Sequence, residues 1–246
     1  MICIYNDIDS TNTHLLNLLN LTKNAINIKD FSAILALKQN AGYGKYNRKW
    51  ETLEGNLALS FFLSSDKIDW LAENNMSFLA ILLGIFFVEK LNSYFNNNTS
   101  FFLKYPNDIM LNDKKIGGFL IESSVQGNQV RLVCGIGLNL LHSPDSLPKT
   151  TSIYQDTKKI ITQNTFAEEI IDLLKRELYN RIKDKKKIII DFYKHSFLKF
   201  NDSITIKLRD GKKITGLYQT LSHDASLILL LPNNQIIKIS HGDIFI

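Results

Sequence analysis

The stretch that most restricts this chain is Lys104 to Glu122, reading Lys-Tyr-Pro-Asn-Asp-Ile-Met-Leu-Asn-Asp-Lys-Lys-Ile-Gly-Gly-Phe-Leu-Ile-Glu. Two apolar runs, Ile109–Leu111 and Ile116–Ile121, are joined by the polar link Asn112–Lys115, the pattern of a tight β-hairpin. Pro106 cannot donate to a sheet ladder and biases Tyr105 toward an extended backbone, so Lys104–Asp108 forms a shaped approach to the first strand. Lys104, Asn107 and Asp108 then precede one strand, and Lys115 precedes Gly117 and Gly118 at the start of the next. Two ammonium groups beside a glycine pair suit an anion that approaches the backbone closely. Taken alone, the stretch reads better as a surface hairpin with solvated lysines.

At 246 residues the chain is long enough for one large domain, or a large one with a small appendage. A formal charge of +5 and a pI near 9.0 suit an anionic partner. The sequence is, however, crowded with Lys, Ile and Asn, and Lys as the default surface residue explains the charge equally well. Cys3 and Cys134 have no CxxC spacing, which argues against a disulfide framework or zinc site and fits a reducing, cytoplasmic setting. The first residues lack a basic region followed by an apolar one, so no signal peptide is expected. Phe78–Val88 is the most apolar segment and falls short of the roughly 20 residues that cross a bilayer, so it reads as a buried helix and no membrane partner is expected.

Ile2–Tyr5 is a short strand, and Ser10 or Thr11 can cap the helix whose apolar positions begin at Leu15. Ala33–Lys38 is a second strand leading into Gln39-Asn40-Ala41-Gly42-Tyr43-Gly44-Lys45-Tyr46-Asn47-Arg48-Lys49-Trp50. This glycine-containing basic loop can turn N–H groups toward a ligand, yet it matches neither the P-loop spacing nor GxGxxG. Gly55–Leu63 is a strand, Phe78–Leu91 a helix, and Val130–Cys134 a strand that opens into Gly135-Ile136-Gly137-Leu138-Asn139. His142–Thr151 is a Pro-containing loop. Thr165 and Glu168 have the spacing of a capping box for a helix running to Tyr179, and Lys183–Lys187 is a solvated charge run. From Asn201 onward short alternating strands with turns at Asp210-Gly211 and Asn233-Asn234 predict a small β-barrel that leans on the main body.

These segments in this order resemble a biotin protein ligase over nearly the whole chain. The resemblance rests on Lys104–Asp108 with Lys115–Glu122, on Ala41–Trp50, on Asp9-Ser10-Thr11-Asn12 and on Gly135–Asn139. It implies an α+β fold: a class II synthetase-like catalytic domain with a mixed sheet over residues 1–200, and an SH3-like barrel over 201–246. It implies an enzyme that uses ATP and Mg2+ to make biotinyl-AMP and then passes biotin to a lysine of a biotin carboxyl carrier protein. By resemblance, Ser10, Thr11, Asn12, Gln39, Gly42, Tyr43, Gly44, Lys45, Lys104 and Gly117 hold biotin. Lys45, Arg48, Trp50, Asn107, Lys115 and Asn139 line the nucleotide site. Lys104, Lys115 and Arg48 neutralise charge, and Asp108 orients or deprotonates the acceptor lysine. No carboxylate cluster identifies metal ligands. The Asp9-Ser10-Thr11 motif starts so near residue 1 that no winged helix-turn-helix precedes it, so no sequence-specific DNA binding is expected; a homodimer is compatible with the resemblance.

Lipoate or octanoate ligases and transferases share the expected fold, but their Arg-Arg-x-Ser-Gly-Gly-Gly type loop is missing here. A nucleic-acid-binding barrel is a weaker reading, because the aromatics are not interleaved with Arg. The family loop usually reads Gly-Arg-Gly-Arg-Arg-Gly-Arg, whereas Gly42–Arg48 carries Tyr43, Lys45, Tyr46 and Asn47 within it. Tyr105 also stands in place of the usual Trp. A point charge at Lys45 in place of a bidentate fork predicts looser retention of the adenylate. Lys45→Arg is therefore expected to slow release of biotinyl-AMP from the purified protein, and equal release times would contradict this.

Overall fold

A computed structural model of the chain describes residues 1–21, 28–64, 76–95, 99–126 and 129–245. The described strands and helices, in chain order, are β1 (Ile2–Tyr5), α1 (Thr11–Leu21), β2 (Ala33–Ala36), β3 (Leu57–Ser64), α2 (Met76–Ser93), β4 (Phe101–Lys104), β5 (Asp108–Leu111), β6 (Lys114–Gln126) and β7 (Gln129–Leu138). They continue with α3 (Ile153–Thr157), α4 (Gln163–Arg181), α5 (Lys185–His195), β8 (Ser203–Lys207), β9 (Lys213–Leu221), β10 (Leu227–Leu230), β11 (Ile236–Ile239) and β12 (Asp243–Phe245). The first seven strands form one mixed sheet in the order β1-β2-β3-β7-β6-β5-β4, and only β1 and β2 pair in parallel.

The alternation of side chains along each strand divides this sheet into two unlike faces. Leu57, Leu59, Phe61 and Leu63 of β3, with Leu132, Cys134, Ile136 and Leu138 of β7, point into the main core. α2 is apolar all round from Phe78 to Val88 and buries Phe78, Leu79, Ile81 to Val88 and Leu91 there, as a stretch without a polar face must. It is long and apolar enough by composition to cross a bilayer, but those side chains are occupied by the sheet and by α4 and α5. On the opposite face Phe62 and Val133 pack with Ile34 under Leu15 and Leu19 of α1. Beyond α1 that face continues as Ala58, Ser60, Gly135 and Gly137, so small residues leave a depression in the sheet.

β8 to β12 form an antiparallel sheet in the order β11-β10-β9-β8-β12, in keeping with an SH3-like unit. Gly211 (φ 86°) and Asn234 (φ 62°) take left-handed backbone at the two expected turns. The sheet leans on the body as expected: Ile204, Ile206, Tyr218 and Leu229 belong to the same buried cluster as Tyr105, Phe192 and Leu198.

Several local expectations are corrected. The strand expected to stop at Cys134 runs on to Leu138, because β3 and β6 pair with it on both sides through Gly135 and Gly137. The helix expected from Thr165 starts a little earlier: Thr162 is its cap and accepts from the Thr165 N–H, so no Thr165–Glu168 capping box forms. The charge run Lys183–Lys187 contains the start of α5, capped by Asp184 through the Lys187 N–H at 2.9 Å. The loop after His142 ends in α3, where Ser152 and Gln155 form a capping box.

Arg181 joins three helices on the core side. From α4 it donates to both carboxylate oxygens of Glu89 on α2, at 2.6 and 3.0 Å, and to Asp191 on α5 at 3.3 Å. Its guanidinium lies 4.5 Å from the centre of the Phe86 ring. Burial opposes ionisation of Glu89, but His195 and Arg181 outweigh it and hold the carboxyl at about 2. A depressed carboxyl stabilises the fold above its ordinary value of 4.5, and that stabilisation fades as pH falls toward about 2. Arg181→Met is expected to cost about 3 kcal/mol at neutral pH, the lower end for breaking a largely buried pair. In chemical denaturation against pH, the deficit should shrink below pH 4.5; a pH-independent deficit would assign it to packing instead.

Candidate functional site

Strand register builds the site before any loop is added. Directly opposed residues share a face, so one row crosses five strands: Ala58, Gly137, Gly118, Asp108 and Lys104. The next rows are Ser60, Gly135 and Leu120, then Phe62, Val133 and Glu122. Lys115 would point the other way by simple alternation, with Gly117. A β-bulge intervenes: Gly117 pairs with Ile109, but Lys115 pairs with Met110, leaving Ile116 as the extra residue. Ile116 enters the core, and Lys115 is turned to the site face, where its Nζ lies 2.6 Å from Asp108 Oδ1.

A cavity of about 870 Å3 opens over this face. One wall is the start of α1. Ser10, Thr11 and Asn12 are buried, with the Ser10 hydroxyl accepting weakly from the Thr13 N–H at 3.4 Å. The Thr11 N–H and hydroxyl both donate to Gln39 Oε1, at 2.8 and 3.1 Å, and Gln39 Nε2 donates to Thr52 at 2.9 Å. The Ser60 hydroxyl lies 2.7 Å from Thr11 Oγ1 and 2.5 Å from Asn12 Oδ1. Its single hydrogen serves one of them at a time. Asn12 Nδ2 donates to Glu122 at 2.6 Å.

The basic loop forms a second wall. Trp50 N–H donates to Gly42 O at 2.9 Å, Gly44 N–H to Arg48 O at 2.8 Å, and a 3-10 turn occupies Lys45–Asn47. The Tyr43 hydroxyl donates to Glu122 at 2.9 Å, so one carboxylate oxygen holds both the loop and Asn12. Burial and Glu122 push the Tyr43 phenol up, against a hydrogen bond from Thr13, which keeps it a donor. At the rim Arg48 is ion-paired with Asp243 of β12, and Tyr46 lies between Arg48 and Arg209, with ring centre distances of 5.5 and 5.1 Å. The second sheet thereby completes the cavity with Arg209 and Ser240–Phe245.

Lys45 and Lys104 are the outstanding charges. Both line the cavity, and neither ammonium has an ion pair or hydrogen bond among the described residues. Burial lowers the pKa of each, although Asp108 pulls both back up. Two desolvated cations without counter-ions make the cavity receptive to an anion.

Of the expected site residues, Ser10, Thr11, Asn12, Gln39, Tyr43, Gly44, Lys45, Arg48, Trp50, Lys104, Asn107, Asp108, Lys115 and Asn139 line one cavity. Gly42 and Gly117 are buried beside it. A side chain at Gly42 would meet Trp50 O at 2.6 Å, and one at Gly117 would meet Gly137 O at 2.6 Å. Arg48 sits at the exposed rim, and Asn107 and Asn139 spend amide donors on Phe119 O and Thr151 O, at 2.6 and 3.1 Å. The glycines of Gly135-Ile136-Gly137 make room for the protein's own groups, since a side chain there would collide with Asn12 at 2.1 Å and with the Trp50 indole at 2.2 Å. A side chain at Gly118 would crowd Asn107 O at 3.1 Å and Asp108 Oδ1 at 3.4 Å. Sequence reasoning missed Ser60, Thr52, Glu122, Arg209 and Asp243. Ser60 had a signal, being the lone polar residue in the run Leu57–Leu63.

A profile of the biotin/lipoate A/B protein ligase family matches residues 5–139. A biotin–[acetyl-CoA-carboxylase] ligase of Paracoccus denitrificans is 34% identical over 139 residues, 56% of this chain and 54% of that protein. A bifunctional ligase/repressor of Escherichia coli is 33% identical over 138 residues, 54% of this chain and 38% of that protein. The matched segment thus spans about half or less of these curated relatives. Among solved structures, the biotin protein ligase of Aquifex aeolicus in complex with biotin and ATP superposes with a TM-score of 0.74 at 24% identity, covering 99% of this chain and 97% of that one. At this identity the likeness is one of fold.

Removing the Tyr43 hydroxyl deletes a hydrogen bond to a carboxylate, a contact worth about 1.5–3 kcal/mol. Tyr43→Phe is expected to raise tryptic cleavage at Lys45, Arg48 or Lys49 about tenfold, through more frequent opening of the loop. Unchanged cleavage would mean that the loop is held by its own backbone bonds.

Proposed function

The chain belongs to the biotin/lipoate A/B protein ligase family, and on that premise we propose that it is an ATP-dependent biotin protein ligase. It activates biotin as biotinyl-AMP and transfers the biotinyl group to a lysine of a biotin carboxyl carrier protein. The observation that carries this reading is the pair of uncompensated ammonium groups, Lys45 and Lys104, facing one cavity with the Lys115–Asp108 pair.

In the first half-reaction the biotin carboxylate attacks the α-phosphate of ATP, bringing two anions together. Lys104 and Lys45, desolvated before the substrates arrive, offset the charge that develops, and their fixed placement avoids reorganisation during the step. Magnesium enters as MgATP; among the described residues no group of three or more His, Cys, Asp or Glu offers a resident metal site. The polar wall of Ser10, Thr11, Asn12 and Gln39 is prearranged for biotin's polar ring, and the Trp50 indole offers a flat surface near the adenylate. The loop, tied to Glu122, shields the mixed anhydride from water. In the second half-reaction Asp108, held by Lys115, receives the acceptor amine and takes its proton as the amide forms and AMP leaves. We place the catalytic unit in residues 1–200, with residues 201–246 supplying the rim, in a cytoplasmic setting.

The direct test is incubation with MgATP and either biotin or lipoate, following pyrophosphate release and carrier labelling. Biotin-dependent release with labelling supports the reading; release with lipoate alone would move the chain to the other branch of the family. Lys104→Ala is expected to lower the rate of adenylate formation by about 10²-fold, as for loss of one preorganised charge, and a rate near that of the unaltered protein would remove Lys104 from the mechanism.

A further inference from the structure

Resting on the ligase reading, we propose that Lys45 is itself an acyl acceptor: when no carrier occupies the cavity mouth, its amine takes the biotinyl group and the chain modifies itself at that position. Lys45 opens the 3-10 turn of a loop whose stem is closed by the Tyr43–Lys49 bridge and the Gly44–Arg48 and Trp50–Gly42 backbone bonds. The Tyr43–Glu122 hydrogen bond fixes that stem to the sheet. The side chain is therefore held against the cavity that would contain the acyl-phosphate, alongside Lys104, Asp108 and Lys115.

Charge balance changes during the reaction in a way that favours this step. ATP and the biotin carboxylate bring several negative charges to three lysines, and after pyrophosphate leaves, biotinyl-AMP retains one. Lys45, Lys104 and Lys115 around the adenylate charge and Asp108 leave an excess of positive charge, and a lysine without an ion pair is the one that sheds a proton most easily. Burial already holds the Lys45 amine below the ordinary lysine value, opposed by Asp108 and reinforced by Lys115. Lys104 is also unpaired, but it lies within β4 opposite Asp108, where its backbone is fixed, whereas Lys45 is at a loop tip. Arginine, the usual residue at this loop position in the resembled family, stays protonated and cannot accept an acyl group. Lysine here adds a nucleophile of the same class as the carrier's own lysine.

The step balances without a further reactant. The Lys45 nitrogen lone pair forms a C–N bond to the biotinyl carbonyl carbon, the bond from that carbon to the phosphate oxygen breaks, and its electron pair departs with AMP. The displaced ammonium proton passes to the Asp108 carboxylate or to solvent. The product is an amide at Lys45, neutral at the loop tip and occupying the biotin site, so the modified chain is inactivated.

The test uses the whole chain with biotin and MgATP but no carrier, and in parallel the chain with preformed biotinyl-adenylate, both read by intact mass and peptide mapping. One biotinyl group per chain is expected, on the peptide holding Lys45 and about tenfold or more above any other lysine, since surface lysines remain ammonium ions at neutral pH. Lys45→Arg should lose that label in both arms. Label spread over surface lysines, label on Lys104, or an unlabelled chain with preformed adenylate overturns the proposal. Label at Lys45 only with preformed adenylate, without pyrophosphate release from ATP, upholds the acceptor and overturns the ligase reading instead.

Discussion

The site depends on the register of five strands. The row Ala58, Gly137, Gly118, Asp108 and Lys104 is set by backbone pairing alone, and it places two glycines as a floor beside a carboxylate and an ammonium. Because side chains alternate with a period of two, a slip of one residue between β6 and β7 would exchange Gly118 and Glu122 with core residues such as Phe119. The apolar residues that fix the register lie on the far side of the same strands, under α2. Core packing and site geometry are thus two faces of one constraint.

Loops and the second sheet are secured to that floor by few contacts. Glu122 holds Asn12 and Tyr43 through one oxygen, and Asp243 holds Arg48 from the other sheet. The Arg48 pair is solvent-exposed and contributes little to stability. Its role is better sought in where it holds the loop rim than in how tightly. Glu122 is half-buried and charged, so its two donors contribute more each.

Much of this was legible in the sequence, for identifiable reasons. The hairpin at Lys104–Glu122, the α1 cap, α2 and four of the five C-terminal strands announced themselves by periodicity and turn residues. Fourteen of the expected site residues fell on one cavity because the motifs carrying them sit at strand ends and loop starts. Other features were hidden. The three-residue strand β12 is too short to show alternation, and α5 begins inside a lysine run whose only structural clue is Asp184. Asp243 and Arg209 are brought to the loop by tertiary packing, for which a local pattern gives no sign. The glycines of Gly135-Ile136-Gly137 were visible, but their reason was not: Asn12 and Trp50, distant in sequence, fill the space above them. Thr165 resembled a cap because Glu168 follows it at capping-box spacing, but Thr162, three residues earlier, carries the same hydroxyl and takes the position.

The bulge at Ile116 concerns parity more than chemistry. Lys115 reaches Asp108 only because Ile116 lies between it and Gly117 while their partners Met110 and Ile109 are adjacent, so the bulge decides which side of the sheet receives the charge. Exchanging side chains in this segment weakens individual contacts, but pairing the same residues without the bulge would send an ammonium group toward the hydrocarbon interior and an isoleucine toward the anion. The hairpin is in this sense read by its pairing, and its sequence can drift further than its register.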